Sequence, residues 1–224
     1  SATWKKYVYL FPNGHAGPPY PTGQRVYADN THDHYAVPPL PQYAYLRSPT
    51  YNKAYFDPAT TYKPWTAYGT TFTDASPTAA RSDATRSTPT LSSTAGNWTF
   101  KMQPGMTIPA GTTYHNGTAW VTAGAAIAIA AETNRAIRYF PATFYLPAGA
   151  PLPGGYGWSG TKLVGQAPDG SSMDGYEIKP ANFSSSAEYN KAIQNFANWF
   201  TYYRKRHLAT RGGIGAALDG ITEI

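Results

Sequence analysis

The sequence predicts an α+β protein, loop-rich, with short antiparallel strands and hairpins and one long C-terminal amphipathic helix. Three observations predict it. Tyr189, Ile193, Phe196, Phe200, Tyr203 and His207 recur at spacings of 4, 3, 4, 3 and 4 residues, one face of an α-helix. Asn116-Gly117 separates Thr112-Thr113-Tyr114-His115 from Thr118-Ala119-Trp120-Val121, and Asn-Gly accepts the positive φ of a type I′ hairpin turn. The 224 residues include 21 Gly, 20 Pro and 19 Tyr, yet only 13 % are charged, against about 25 % in an ordinary soluble domain.

The helix has a start and a stop. Ser185 and Glu188 have the spacing of a capping box. Trp199 and Tyr202 widen the apolar stripe, and Gly212-Gly213 predicts an end near Arg211. On this reading Arg204, Lys205, Arg206, His207 and Arg211 lie at the helix C-terminus, where cations complement the dipole.

The strands come in order along the chain. Tyr7-Val8-Tyr9-Leu10-Phe11 is a short strand stopped by Pro12-Asn13-Gly14. Pro18-Pro19-Tyr20-Pro21 and Pro38-Pro39-Leu40-Pro41 are expected to be extended, because proline fixes its own φ and restricts its predecessor. Residues 66–97, rich in Ser, Thr, Ala and Pro, read as an exposed loop or linker. Strand patterns resume at Trp98 to Met102, at the Asn-Gly hairpin, at Ile127 to Ala130, and at Arg138-Tyr139-Phe140 through Tyr145-Leu146, with Pro141 demoting the last to an edge or bulge. After Gly/Pro-rich residues 147–160, Tyr176-Glu177-Ile178 is a strand leading to the helix. The division expected is residues 1–183, a Pro/Tyr-rich β and loop region, and residues 184–224, the helix.

Composition and motifs exclude several function classes. With 42 % hydrophobic and 15 % aromatic residues the chain is not of the disordered class. The net charge of +6 is scattered, with no basic stripe interleaved with stacking aromatics, so a nucleic-acid module is not expected. There is no cysteine, hence no disulfide, thiolate metal site or Cys nucleophile. No apolar run reaches the roughly 18 residues of a membrane span. Ser1 to Lys5 carries no signal-peptide pattern and reads as the start of a cut chain.

Asp29-Asn30-Thr31-His32-Asp33-His34 is the most metal-like cluster, but it lacks a defined ligand spacing and reads as a polar loop. Asp169-Gly170-Ser171-Ser172-Met173-Asp174 has Met where an Asp-x-Ser-x-Ser motif needs its second Ser, and reads as a turn. Gly157-Trp158-Ser159-Gly160 lacks the spacing of a nucleophile elbow, and no carboxylate pair or phosphate-binding glycine loop stands out. No catalytic residue and no metal or cofactor ligand is assigned. Asn97, Asn116 and Asn182 open short glycosylation patterns of little information. Exposed Tyr and Trp present flat apolar faces with a polar tip, so a stand-alone extracellular glycan-binding module is the alternative function.

Four collinear stretches carry a family resemblance. They are Leu46-Arg47-Ser48-Pro49 with Tyr51-Asn52-Lys53-Ala54-Tyr55-Phe56-Asp57-Pro58 through Tyr62-Lys63-Pro64-Trp65; Arg138-Tyr139-Phe140-Pro141-Ala142-Thr143-Phe144-Tyr145; Tyr176-Glu177-Ile178-Lys179-Pro180-Ala181-Asn182-Phe183; and Ile193-Gln194-Asn195-Phe196 through Tyr203-Arg204-Lys205-Arg206. Together they resemble the PilY/PilC-type adhesins of type IV pilus tips, over the N-terminal von Willebrand A-like region of that family. The resemblance implies a long insertion followed by the first helix of an α/β domain. It places the family's metal-motif strand and calcium-binding propeller outside these residues. It implies an extracellular, non-catalytic role at the bacterial surface or pilus tip, in pilus biogenesis and attachment. The implied partners are minor pilins, the remainder of the same adhesin, and a host or abiotic surface. On this reading the aromatic helix face lacks partners within the chain, and Phe196, Trp199, Phe200 and Tyr203 are expected to be exposed as contact residues.

Overall fold

The computed structural model describes residues 39–67, 70–78, 80–81, 83–85, 98–102, 105–131, 133–219 and 221. The expected strand at Tyr7 to Phe11, the Pro18 to Pro21 segment and the Asp29 to His34 cluster lie outside the described residues. Eleven short strands form among those described. They are β1 (Thr66–Ala67), β2 (Thr70–Thr71), β3 (Trp98–Lys101), β4 (Thr107–Ile108), β5 (Thr113–His115), β6 (Trp120–Thr122), β7 (Ile127–Ala128), β8 (Ala136–Tyr139), β9 (Thr143–Pro147), β10 (Leu163–Gln166) and β11 (Ser172–Glu177). Two helices follow, α1 (Ser186–Asn198) and α2 (Arg206–Leu218), joined through a π-helical turn, Trp199–Tyr203. The mixed α and β class with short antiparallel strands and C-terminal helices is as the sequence predicts.

Every strand pairing among the described residues is antiparallel. One sheet has the order β3-β8-β5-β6 and a second the order β10-β11-β9, with β1-β2 and β4-β7 as separate pairs. The Asn-Gly hairpin forms, but His115 pairs with Trp120, so the loop is four residues long instead of two. The Asn116 side chain explains the difference: its Oδ1 accepts from the N–H groups of Thr118 and Ala119, at 2.8 and 2.9 Å. Within that Asx-type turn Gly117 takes a positive φ of 109°.

Pro141 falls between β8 and β9, which belong to different sheets, and β9 is an edge strand as a nearby proline suggests. The turn expected at Asp169 is present, its carboxylate accepting from Ser171 N–H and Oγ–H. Pro41 departs from expectation. It does not extend the chain but opens a 3₁₀ segment, Pro41–Arg47, as proline at a first helical position does.

The described part of the expected 66–97 linker, which ends at residue 85, is not simply exposed. Trp65 precedes the β1-β2 hairpin and is buried, as are Ala75, Ala80 and Asp83 beyond it. Polar side chains of α1 hold this segment. Asn198 Nδ2 donates to Tyr62 O and Asp74 Oδ1, its Oδ1 accepts from Ala75 N–H, and Gln194 Nε2 donates to Ala75 O. Buried backbone far from any sheet is thereby satisfied by side-chain amides, which meets the requirement that buried polar groups be paired.

The helix departs from expectation twice. Ser185 Oγ accepts from Glu188 N–H at the N-terminus, the predicted cap. At the other end, Arg204 N–H bonds back to Trp199 O at 2.9 Å, a five-residue step, and Lys205 is extended at φ −112°, ψ 142°. The helix therefore breaks and restarts. His207, predicted on the apolar face, is thrown out of phase and is exposed. Gly212 and Gly213 do not end the helix, which runs on to Leu218. The reason is packing: Gly212 abuts Trp65, and a Cβ on Gly215 would lie 2.2 Å from the Thr66 carbonyl oxygen.

Phe56 lies at the centre of the main core. Its ring meets Phe196 at 5.1 Å, Phe144 and Tyr62 at 5.7 Å, and Trp199 at 6.0 Å between centroids. Such tilted and edge contacts are favoured aromatic geometries. One apolar cluster thus joins the N-terminal loops, the second sheet and α1, crossing the residue 183/184 division.

Candidate functional site

The aromatic helix face is sealed within this chain. Phe196, Trp199 and Phe200 are 0 %, 1 % and 0 % exposed, which corrects the expectation that they await an external partner. The physical reason is that Tyr55 and Phe56, brought in by a loop, pack on Phe196 and Trp199, with Phe144 of β9 against Phe56. Of the four predicted contact residues only Tyr203 is half-buried.

Tyr203 borders a groove of about 570 Å³, which runs between the 51–55 loop and the junction of the π-turn with α2. Tyr51, Tyr62 and Tyr203 form its aromatic surface, with the buried Tyr55 and Trp199 beneath them and Asn52, Lys53, Ala54, Arg206 and Ala209 around it. Its rings are fixed by bonds at their polar tips. Tyr55 Oη donates to Thr143 O at 2.5 Å, Tyr203 Oη donates to Lys63 O at 2.8 Å, and Tyr62 Oη accepts from Asp57 N–H. Trp199 Nε1 donates to Ala54 O at 3.3 Å, which ties the loop to the π-turn. Tyr62 and Tyr203 stand 5.4 Å apart. Tyr51 is 43 % exposed and leans edge-on against Tyr45.

The charge in the groove is one-sided. Burial pushes the Tyr55, Tyr62 and Tyr203 phenols up from their ordinary value, so these rings stay neutral. Lys53 and Arg206 are exposed, and among the described residues neither has an ion-pair partner and no Asp or Glu lines the groove. Arg206 holds the first position of α2, which has no acidic residue in its first turn and no side-chain cap. A cation there opposes the helix dipole, so the basic cluster does not complement a helix end as the sequence suggested. Arg204 differs: it is buried, its guanidinium 3.9 Å from the Phe200 ring centre.

No family model, no curated protein and no solved structure matches this chain.

A second cleft, of about 390 Å³, lies on the other side of Tyr62, bordered by α1, Pro58 to Lys63 and Pro153 to Tyr156. Its amides, Asn195 and Asn198, are committed to backbone bonds with Thr60, Tyr62 and Ala75. Elsewhere, His207 Nε2 stands 4.0 Å from Asp83 Oδ2, but Thr85 Oγ donates to Asp83 and not to the histidine. The order of a nucleophile–base–orienter triad is not formed there. Among the described residues no group of three His, Cys, Asp or Glu is placed to hold a metal ion, and no helix is long and apolar enough to cross a membrane.

Of the residues that line this groove, sequence reasoning named Trp199 and Tyr203 as partner contacts and did not name Tyr51, Lys53, Tyr62 or Arg206. A signal existed. Lys53 lies in an aromatic run, Tyr51-Asn52-Lys53-Ala54-Tyr55-Phe56, with no acid until Asp57.

Proposed function

We propose that this chain is a non-catalytic segment of a type IV pilus tip-associated adhesin, acting in pilus biogenesis and surface attachment through contacts with minor pilins, the rest of the adhesin, and a host or abiotic surface. The observation that supports this reading is the convergence of the four family-like stretches. Tyr55, Phe56 and Trp65 of the first, Tyr139, Phe140 and Phe144 of the second, Tyr176, Ile178 and Phe183 of the third, and Ile193, Phe196 and Trp199 of the fourth share one buried cluster. Stretches that resemble one family because they build its fold are expected to meet in space. The von Willebrand A-like part of the reading rests on α1 alone.

Labelling tests the proposal. Antibody against this chain, applied to piliated cells of the bacterium that encodes it, is expected to mark pilus tips, and deletion of the coding region is expected to reduce piliation. Absence of tip label together with unchanged piliation contradicts the proposal.

A further inference from the structure

We infer that the groove beside Tyr203 binds a carboxylated sugar, a uronic or sialic acid unit of an acidic glycan. The inference deepens the attachment reading above by giving that surface a ligand class.

Size, shape and charge support it together. A groove of about 570 Å³ lies within the roughly 300–1,000 Å³ of small-ligand sites. Its aromatic rings are anchored at their tips by Thr143 O, Lys63 O and Asp57 N–H. The groove is therefore formed before a ligand arrives, which limits the ordering cost of binding. Tyrosine faces suit the C–H faces of a pyranose, and the exposed Tyr51, edge-on against Tyr45, supplies one wall.

The two cations select among sugars. Lys53 and Arg206 flank the groove, and no carboxylate among the described residues lines it. Arg206 is placed where the α2 dipole disfavours a cation. A residue that breaks a local rule with no ion-pair partner among the described residues points to a functional or strained site. An arginine and a lysine across an aromatic groove complement a single carboxylate, which a guanidinium binds through paired N–H groups. An acidic peptide lacks the flat face that the rings offer. Single-stranded nucleic acid, which also uses rings and cations, needs a basic track spanning several phosphates, and this groove holds two cations.

Calorimetry with the full chain tests the inference. The probes are a hyaluronan tetrasaccharide, tetragalacturonate and 3′-sialyllactose, with lactose and maltotetraose as neutral counterparts and a short oligothymidylate. At least one acidic sugar is expected to bind at least about tenfold more tightly than the neutral ones, about 1.4 kcal/mol. That binding is expected to weaken at least about tenfold in Lys53→Ala/Arg206→Ala and to recover in Lys53→Arg/Arg206→Lys. Tyr51→Ala is expected to weaken it for all sugars. These are exposed side chains, so a thermal melt confirms that the variants fold. Binding of no acidic sugar, equal binding of neutral sugars, or tighter binding of the oligothymidylate lost in the same variants overturns the inference. Sugar binding without pilus-tip labelling keeps this site and removes the pilus reading; tip labelling without sugar binding does the reverse.

Discussion

Gly212 of α2 lies directly against the indole of Trp65: a Cβ at Gly212 would come within 2.7 Å of Trp65 Cδ1. Trp65 is itself fixed, since it is buried and its Nε1 donates to Tyr202 O at 2.9 Å. Two neighbouring glycines in one helix therefore have opposite expectations. Gly213 has nothing within 4 Å of the same position. Gly213→Ala is expected to stabilise the protein by about 0.5–1 kcal/mol, the helix-propensity gain. Gly212→Ala gains the same propensity but overpacks, which costs about 1–3 kcal/mol, and is expected to lower the melting temperature. Parallel thermal melts of the two variants check the contrast.

Asn198 has every polar atom engaged, through Tyr62 O, Asp74 Oδ1, Ala75 N–H and Gln194 Nε2. Asn198→Ala leaves several buried groups unpaired, at about 1–3 kcal/mol each before relaxation and water entry. A loss of about 2 kcal/mol or more in denaturant unfolding is expected. A loss below about 0.5 kcal/mol would mean that the amides do not hold the 62–75 segment.

Phe56→Ala removes the ring shared by loop, sheet and helix. A fully buried Phe truncated to Ala costs about 3–5 kcal/mol, a large fraction of the 5–15 kcal/mol that keeps a domain folded. The expected result is a loss of cooperative unfolding or a large fall in its midpoint, read by circular dichroism.

Acid is expected to weaken the contact between the 83–85 segment and α2. Burial alone would raise the Asp83 pKa, but the N–H and hydroxyl of Thr85, with Arg211 and Lys205, hold it below its ordinary 3.8. A depressed carboxylate stabilises the fold above that value, and the contribution is lost as the pH falls through it. Burial and the cations Lys205, Arg211 and Arg204 hold His207 below 6.5, with Asp83 pulling the other way. A depressed histidine likewise stabilises above 6.5 and loses that contribution as the pH falls. Both groups act in one direction, so stability is expected to decline from neutral to acid pH. Asp83→Asn is expected to lower the His207 pKa further, as read by NMR titration. A rise contradicts the arrangement.

The parts of this fold legible in the sequence are those set by local pattern. The Ser185–Glu188 cap, the apolar stripe from Ile193 to Phe200, the Asp169 turn and the 112–121 hairpin follow from neighbours within a few residues. The break at Lys205 does not, because Arg204, Lys205 and Arg206 all favour helix. It comes with the packing of Arg204 on Phe200 and the π-turn that buries Trp199 and Tyr202. Strand β10 was missed because Leu163-Val164-Gly165-Gln166 has no strong alternation and takes its register from β11. The 66–97 segment misled through composition: among its described residues, Ala75 is anchored by amides more than a hundred residues away. The groove shares that origin, since Lys53 and Arg206 come to line one groove only after the loop and the helix junction pack together.

The central claim is that α1 and its π-turn bury their aromatic face against residues 40–183 of the same chain. Amide hydrogen exchange of the purified protein tests it most directly. The account predicts a monomer in which the amides of Ile193 to Tyr203 exchange as slowly as those of β9 and β11. Rapid exchange over that stretch, in a protein that self-associates, would contradict it.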